Sequence, residues 1–239
     1  MIKAELHIHS LGGSYCAQLP AKEIVKRYKQ AGYGALMLTN HYSKRCFGEY
    51  PVSEFKDKVD YFFSLFDEFK NECDKVGIKA FCGVEVAVMP FGTDYVLVGF
   101  DKAFLYENKP LYDLTQEELF ALAEKDDIFM YQAHPFRLGS KVGNPKFMHG
   151  AECFNGHFHH NNYNAIAEKF CKENNLVRLS GNDFHAVDEP IIGGVFIPNY
   201  VNDEKALAKN LKSGKCKILK DELYYQQCTK EFFERERQI

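Results

Sequence analysis

Residues 5–10 read Glu5-Leu6-His7-Ile8-His9-Ser10, and this short run decides how the rest of the chain is understood. In an extended strand successive side chains alternate faces, so residues i and i+2 point the same way. His7 and His9 therefore share a face near the end of the first apolar run. Taken alone, such a pair is unspecific. Its meaning depends on whether ligand-type residues recur at the ends of later strand-like runs.

They do recur. ALMLTNH ends on His41, FCGVEVAV carries Glu85, DYVLVGF begins with Asp94, and FMYQAHP carries His134. GAECFNG contains Glu152, and RLSGNDFH ends on Asp183 and His185, again two apart. Burying an acid or an imidazole in an apolar strand is costly unless it is paired or coordinated. A lone histidine of this kind is usually a satisfied core residue. Here five of the nine histidines occupy strand ends and are accompanied by carboxylates, so a metal site is the better reading. Histidine with carboxylate suits Zn, Fe or Mn.

Helical patterns separate these runs. PAKEIVKRYKQAGY places Ile24, Val25, Tyr28 and Ala31 at helical spacing between Pro20 and Gly32. In SEFKDKVDYFFSLFDEFKNECDKVG, a broad stripe runs from Phe55 to Phe69. TQEELFALAEKDD opens with the capping-box pattern of a threonine and a glutamate three residues on. NYNAIAEKFCKENN and NDEKALAKNLKSGK read as two more helices. Strands alternating with helices predict an α/β fold with mostly parallel pairing and helices outside. In a parallel-sheet barrel the C-terminal strand ends meet at one mouth, where such folds place their chemistry. No repeat or linker interrupts the chain, so residues 1–239 are expected to form one domain.

Composition narrows the partners. A net charge of −3 and scattered basic residues argue against long nucleic acid and anionic membranes. The eight cysteines form no CxxC motif and several sit in apolar runs, which suits reduced thiols behaving as small hydrophobes. No apolar run reaches the roughly 20 residues of a membrane helix, and no leader precedes the first strand, so a cytoplasmic location is expected.

The ordered set ELHIHS, LTNHYS, GVEVAV, DYVLVGF, QAHPFR, AECFNG and SGNDFH resembles the PHP (polymerase and histidinol phosphatase) family of metal-dependent phosphoesterases, over roughly residues 1 to 200. The resemblance implies a distorted, seven-stranded (β/α)7 TIM-like barrel holding two or three divalent ions. It implies His7, His9, Glu85 and Asp183 around a first ion, Glu85 bridging to a second ion also held by His134, and His41 and His185 on a third. Four positions depart from the family's pattern. Glu5 stands where the first motif usually has Asp, and Asn40 where Thr-Asp-His is usual. Asp94 stands about where many members carry a histidine ligand, and Ser14-Tyr15-Cys16-Ala17 replaces the usual Ser-Asp-Gly. Asn40 is expected to orient His41 through its amide. Cys16 offers either a thiolate or a small buried thiol.

The implied activity is a histidinol-phosphatase-like hydrolase acting on a small phosphorylated substrate, a phosphomonoester. Glu85, Asp183 and His185 lie at its reacting centre, and a metal-bridging hydroxide is the nucleophile. Arg137 is the expected phosphate clamp, with Lys44 and Arg45 as further substrate contacts; the plain alternative for all three is a solvated loop charge. His157, His159 and His160 are expected to line a loop at the cleft rim, with Asn161 or Asn162 capping the helix that follows. Two other readings stay open: a phosphodiesterase or nucleotide-processing hydrolase, and a weakly metal-binding regulatory module. Specificity is assigned to loops 42–52, 135–150 and 156–163.

Overall fold

Seven strands form a ring whose seam lies beside the His-x-His run. The computed structural model of the protein describes residues 1–88 and 92–237. β1 (Ile2–Ile8), β2 (Ala35–Leu38), β4 (Lys79–Val88), β5 (Thr93–Val98), β6 (Phe129–Gln132), β7 (Gly150–Asn155) and β8 (Val177–Gly181) neighbour one another in that order. Past β8, Phe184 bridges Ile8 in parallel sense and closes the ring. His9 N–H donates to Phe184 O at 3.0 Å, and Phe184 N–H to His7 O at 3.2 Å. Three further pieces bring the sheet to ten strands among the described residues: β3 (His41–Tyr42) on β4, β9 (Gly193–Ile197) antiparallel on β1, and β10 (Lys217–Lys220) on β9.

Pairing is more mixed than the alternation predicts. β5 is antiparallel to both β4 and β6, whereas β1–β2, β2–β4, β6–β7 and β7–β8 are parallel. The reason is length. Only four residues separate β4 from β5, and a parallel return needs a crossover of a dozen or more.

The helices cover the outside. α1 (Ala21–Gln30) follows Pro20 and buries Ile24, Val25 and Tyr28. α2 (Lys44–Glu49) is a short helix inside the expected 42–52 loop, capped by Ser43. α3 (Phe55–Lys75) buries Val59, Phe62, Phe66 and Phe69. α4 (Lys102–Glu107) precedes α5 (Gln116–Lys125), which carries the Thr115–Glu118 capping box. α6 (Asn164–Glu173) is not capped by Asn161 or Asn162: Tyr163 holds the cap position at φ 47° without a side-chain bond, because the Asn162 amide is turned inward onto Asn155 and His157. α7 (Glu204–Lys212) and α8 (Glu222–Glu236) follow. The last two residues of EFFERERQI lie outside the described residues.

Leu36, Leu38, Val84, Val86 and Leu97 pack outward against the helices. Met37, Phe81, Val96, Phe129, Tyr131 and Leu179 pack inward, joined by Leu207, Ala208 and Leu211 of α7. α7 plugs the end of the ring marked by Cys82 and Gly99. Farther along the same strands stand Glu85 and Asp94, toward the open end. All eight cysteines are free, five of them buried. No helix among the described residues is long and apolar enough to cross a membrane.

Candidate metal centre

β1 is not a regular strand. Its register to β2 shifts between Glu5 and Ile8, and the backbone N–H groups of Leu6 and His7 both donate to Glu5 Oε1 at 2.9 Å. The Glu5 carboxylate thus satisfies amides that a regular ladder would have paired. Its other oxygen turns to Tyr28 of α1 and to the Asn182 amide. The irregularity separates Glu5 from the histidines but leaves His7 and His9 side by side, with ring centroids 5.1 Å apart.

Glu85 on β4 is fully buried and is approached by four imidazoles. Oε1 lies 3.1 Å from His134 Nε2 and 3.3 Å from His7 Nε2. Oε2 lies 2.7 Å from His41 Nδ1 and 3.4 Å from His9 Nε2. The β3–β4 pairing sets His41 directly opposite Glu85. Asp183 faces the same space: its Oδ1 is 3.2 Å from both His7 Nε2 and His9 Nε2, and 3.5 Å from His185 Nδ1. Asp94 joins Glu85 and His134 in a third carboxylate–imidazole group.

Of these contacts, His134 Nε2 to Glu85 Oε1 is a hydrogen bond, but several of the atoms are close without being bonded. His7 Nε2, His9 Nε2 and Glu85 Oε2 are buried and have no hydrogen-bond partner among the described residues, although unmet buried polar atoms cost about 1–3 kcal/mol each. Ligand atoms around a tetrahedral ion with bonds of about 2.0–2.2 Å stand roughly 3.3–3.6 Å apart, close to the spacing found here. Orphaned nitrogens, converging carboxylates and that spacing together fit divalent cations.

Charge is balanced locally. Burial alone would lower His7, but Asp183, Glu152 and Glu85 hold its pKa well above the usual imidazole value. Burial would raise Glu85 and Asp183, yet the surrounding imidazoles, with Arg137 beside Asp183, keep both well below the carboxylate range. Burial pushes Asp94 up to about 6, helped by repulsion from Glu85. Cations entering this cluster must displace protons from imidazole nitrogens.

Partners behind the cluster aim it. Glu152 Oε1 accepts from His7 Nδ1 at 2.8 Å, which turns Nε2 toward Glu85 and Asp183. Glu152 Oε2 accepts from His134 N–H and Asn155 Nδ2, each at 2.8 Å. His134 and Asp183 sit at φ 29° and 53°, a left-handed backbone that costs non-glycine residues energy and is concentrated at functional sites.

The cluster floors a cleft of ≈ 360 Å3 at the open end of the ring. A larger cavity, ≈ 440 Å3, lies beside Val88, Tyr95, Gln116 and Asn144, but its described lining includes no imidazole; the chemistry is concentrated in the smaller cleft.

A family model for the PHP domain matches residues 5–190. The chain belongs to the PHP domain family. Among curated proteins no sequence matches it significantly. Among solved structures it is similar to PsfC from Pseudomonas syringae PB-5123, at 15% identity and a TM-score of 0.68, covering 99% of this chain and 98% of that one. A two-domain protein from Bacteroides vulgatus ATCC 8482, described as containing a predicted PHP-like metal-dependent phosphoesterase, aligns at 20% identity and a TM-score of 0.65, over 96% of this chain and 69% of that one. The lesion-specific endonuclease PfuEndoQ from Pyrococcus furiosus shares 14% identity at a TM-score of 0.53, covering 91% of this chain and 57% of that one. Because that neighbour is an endonuclease, the fold offers no argument against nucleic acid.

Two of the departures from the PHP pattern, Glu5 and Asn40, now have local explanations. Glu5 supports the backbone irregularity in β1. Asn40 does not touch His41: its Oδ1 accepts from Ser10 N–H at 2.8 Å and from the Ser10 and Ser14 hydroxyls. Ser14 Oγ in turn meets His9 Nδ1 at 2.8 Å and His41 N–H at 3.0 Å. Asn40 acts through the serine loop.

Arg137 lines the cleft, but much of its guanidinium is engaged. Nη2 donates to Asp183 and, at 3.1 Å, to Asn155 Oδ1; Nε donates to Asn162 Oδ1 at 2.8 Å. Lys44 and Arg45 do not line the cleft. They are exposed on α2, with Arg45 stacked 3.7 Å above the Tyr15 ring. His157, His159 and His160 do line it. His157 Nδ1 faces two acceptors, Asp183 O and Glu189 Oε1, each at 3.1 Å, so it carries the proton and leaves Nε2 to the cleft. Sequence reasoning left Glu152 and Glu189 outside the site. The one available signal was a carboxylate inside an apolar strand, and only for Glu152.

Proposed function

We propose that this PHP protein is a metal-dependent phosphoesterase that hydrolyses small phosphomonoesters. The observation that carries the reading is the convergence of four imidazoles and Asp183 around Glu85, with buried nitrogens that lack partners. His7, His9, Glu85 and Asp183 would hold one ion, Glu85, His134 and Asp94 a second, and His41 and His185 belong to a third. Such ions supply a neutral-pH nucleophile by lowering the pKa of water from 15.7 to about 7, and they offset charge on the phosphoryl oxygens.

The chain's own groups do the remaining work. Arg137 binds the phosphate, its planar guanidinium being held in place by Asn155, Asn162 and Asp183. His157 Nε2 and His160 meet the rest of the substrate along the rim. His185, whose Nδ1–H donates to Asp183 O at 2.8 Å, has its Nε2 left to hold the third ion. A cleft of ≈ 360 Å3 favours a small leaving group.

A phosphodiester substrate is the second reading, favoured by the endonuclease among the structural neighbours. One series separates the two: metal counting by elemental analysis, then turnover of chromogenic monoester and diester substrates with and without chelator. Monoester turnover lost on chelation supports the proposal. Diester preference moves the assignment to the second reading. Bound metal with neither activity points to a regulatory module. Asp183→Asn should lower both metal content and turnover; unchanged metal content would contradict its role.

A further inference from the structure

We infer, resting on the reading of Arg137 as the phosphate-binding group, that Tyr225 of α8 is a positioning residue for that arginine. Its hydroxyl ties down the rim loop 156–163, so that Asn162 can hold the guanidinium at the cleft. α8 lies beyond the segment matched by the PHP model, which ends at residue 190, so the family pattern gives it no task.

Tyr225 is the one buried side chain among the described residues of α8, although that helix runs for 15 residues. Its ring packs edge-on against Phe154 of β7, with centroids 5.7 Å apart, and clusters with Ile192. Asp221 N–H donates to Ile192 O at 3.0 Å and pins the start of the helix to the same place. A buried tyrosine hydroxyl usually finds a partner, and here both partners belong to the rim. Asn162 N–H donates to Tyr225 Oη at 3.0 Å, and the Tyr225 hydroxyl donates to His160 O at 3.0 Å. Phe232, seven residues on and therefore on the same helix face, meets the His159 ring edge-on at 4.9 Å.

The grip reaches Arg137 through a single residue. Asn162 is buried and spends its amide N–H groups on Asn155 and on His157 O, which leaves Oδ1 to accept from Arg137 Nε at 2.8 Å. Tyr225 fixes the backbone of that same residue. Without the hydroxyl, a buried Asn162 N–H is left unpaired, a cost the loop can relieve only by moving. Asn162 then no longer aims Arg137. An interaction made equally with bound substrate and transition state appears in KM and leaves kcat unchanged, so loss of this support should appear there.

Steady-state kinetics of the metal-loaded full chain tests this. Tyr225→Phe keeps the ring against Phe154 and removes only the hydroxyl. KM for the ester hydrolysed should rise roughly three- to ten-fold, with kcat and metal content held and Tyr224→Phe, an exposed neighbour on α8, unaffected. In an Arg137→Lys background Tyr225→Phe should raise KM no further, because the two act as one unit. An unchanged KM, or penalties that multiply in the double variant, overturns the inference. A fall in kcat alone also overturns it, since misfolded molecules reduce the active fraction and leave KM where it was. If the wild type hydrolyses neither ester, the activity proposed above fails by itself, and binding of inorganic phosphate by calorimetry takes the place of KM. Weaker binding by Tyr225→Phe, with no further loss in the double variant, then supports the positioning role. Equal affinity overturns it, and a wild type that binds no phosphate overturns both.

Discussion

Glu152 Oε1 lies 2.8 Å from His7 Nδ1, across 145 residues of sequence, and that one contact fixes which nitrogen of His7 faces Glu85 and Asp183. Glu152→Gln keeps the shape and an acceptor but removes the charge that makes His7 a stronger donor. Metal affinity should fall by roughly 10–100-fold, read by competition against a chelator. Unaltered affinity would reduce Glu152 to a strand-end hydrogen-bond partner.

Arg137 divides its guanidinium between Asn155, Asn162 and Asp183. Arg137→Lys keeps a positive charge but loses the planar fork. Charge-assisted bonds of this type are worth about 1.5–3 kcal/mol, so kcat/KM for a phosphomonoester should drop by roughly ten- to hundred-fold while metal content holds. Steady-state kinetics together with elemental analysis checks this; loss of metal with activity would make Arg137 a support for Asp183.

Gly13 packs against Asn40 so closely that a Cβ would stand 2.0 Å from Asn40 Nδ2. Gly13→Ala must move Asn40, and with it the Ser14 hydroxyl that turns His9. We expect a cost of about 1–3 kcal/mol and weaker metal retention. Gly48→Ala is the control, since open space surrounds it on α2 and alanine favours a helix. Urea titrations of the two variants should diverge in sign.

Much of the centre was legible because its residues break a rule: charged or imidazole side chains inside apolar strands demand partners. His7, His9, Glu85, His134 and Asp183 announce themselves in that way, as do the helices whose apolar stripes repeat. What stayed hidden depends on who meets whom. Nothing local pairs Glu152 with His7 or Arg137 with Asp183. The β1 irregularity, which sends Glu5 toward Tyr28, defeats strict alternation, and α2 was missed because six residues with a glycine are too few to show periodicity.

Glu168 on α6 gives a pH test away from the centre. Lys220 at 2.7 Å and Lys172 at 2.9 Å hold its carboxyl down to about 2. A carboxyl depressed in the folded state adds stability above its unfolded pKa near 4.5, and that contribution fades as pH falls toward 2. The stability gap between wild type and Glu168→Gln should therefore be open at pH 6 and narrow at pH 3. A gap independent of pH would mean the charge contributes nothing.

The ring is joined at Ile8 and Phe184, and the residues on either side of that join, His7, His9 and Asp183, are the ones that converge on a common point. An ion held there fastens the opening strand to the far end of the barrel, so it acts as a clasp as well as a reagent. Stripping it should slacken the whole hoop along one line, and the first amides to exchange with solvent should be those of His9 and Phe184.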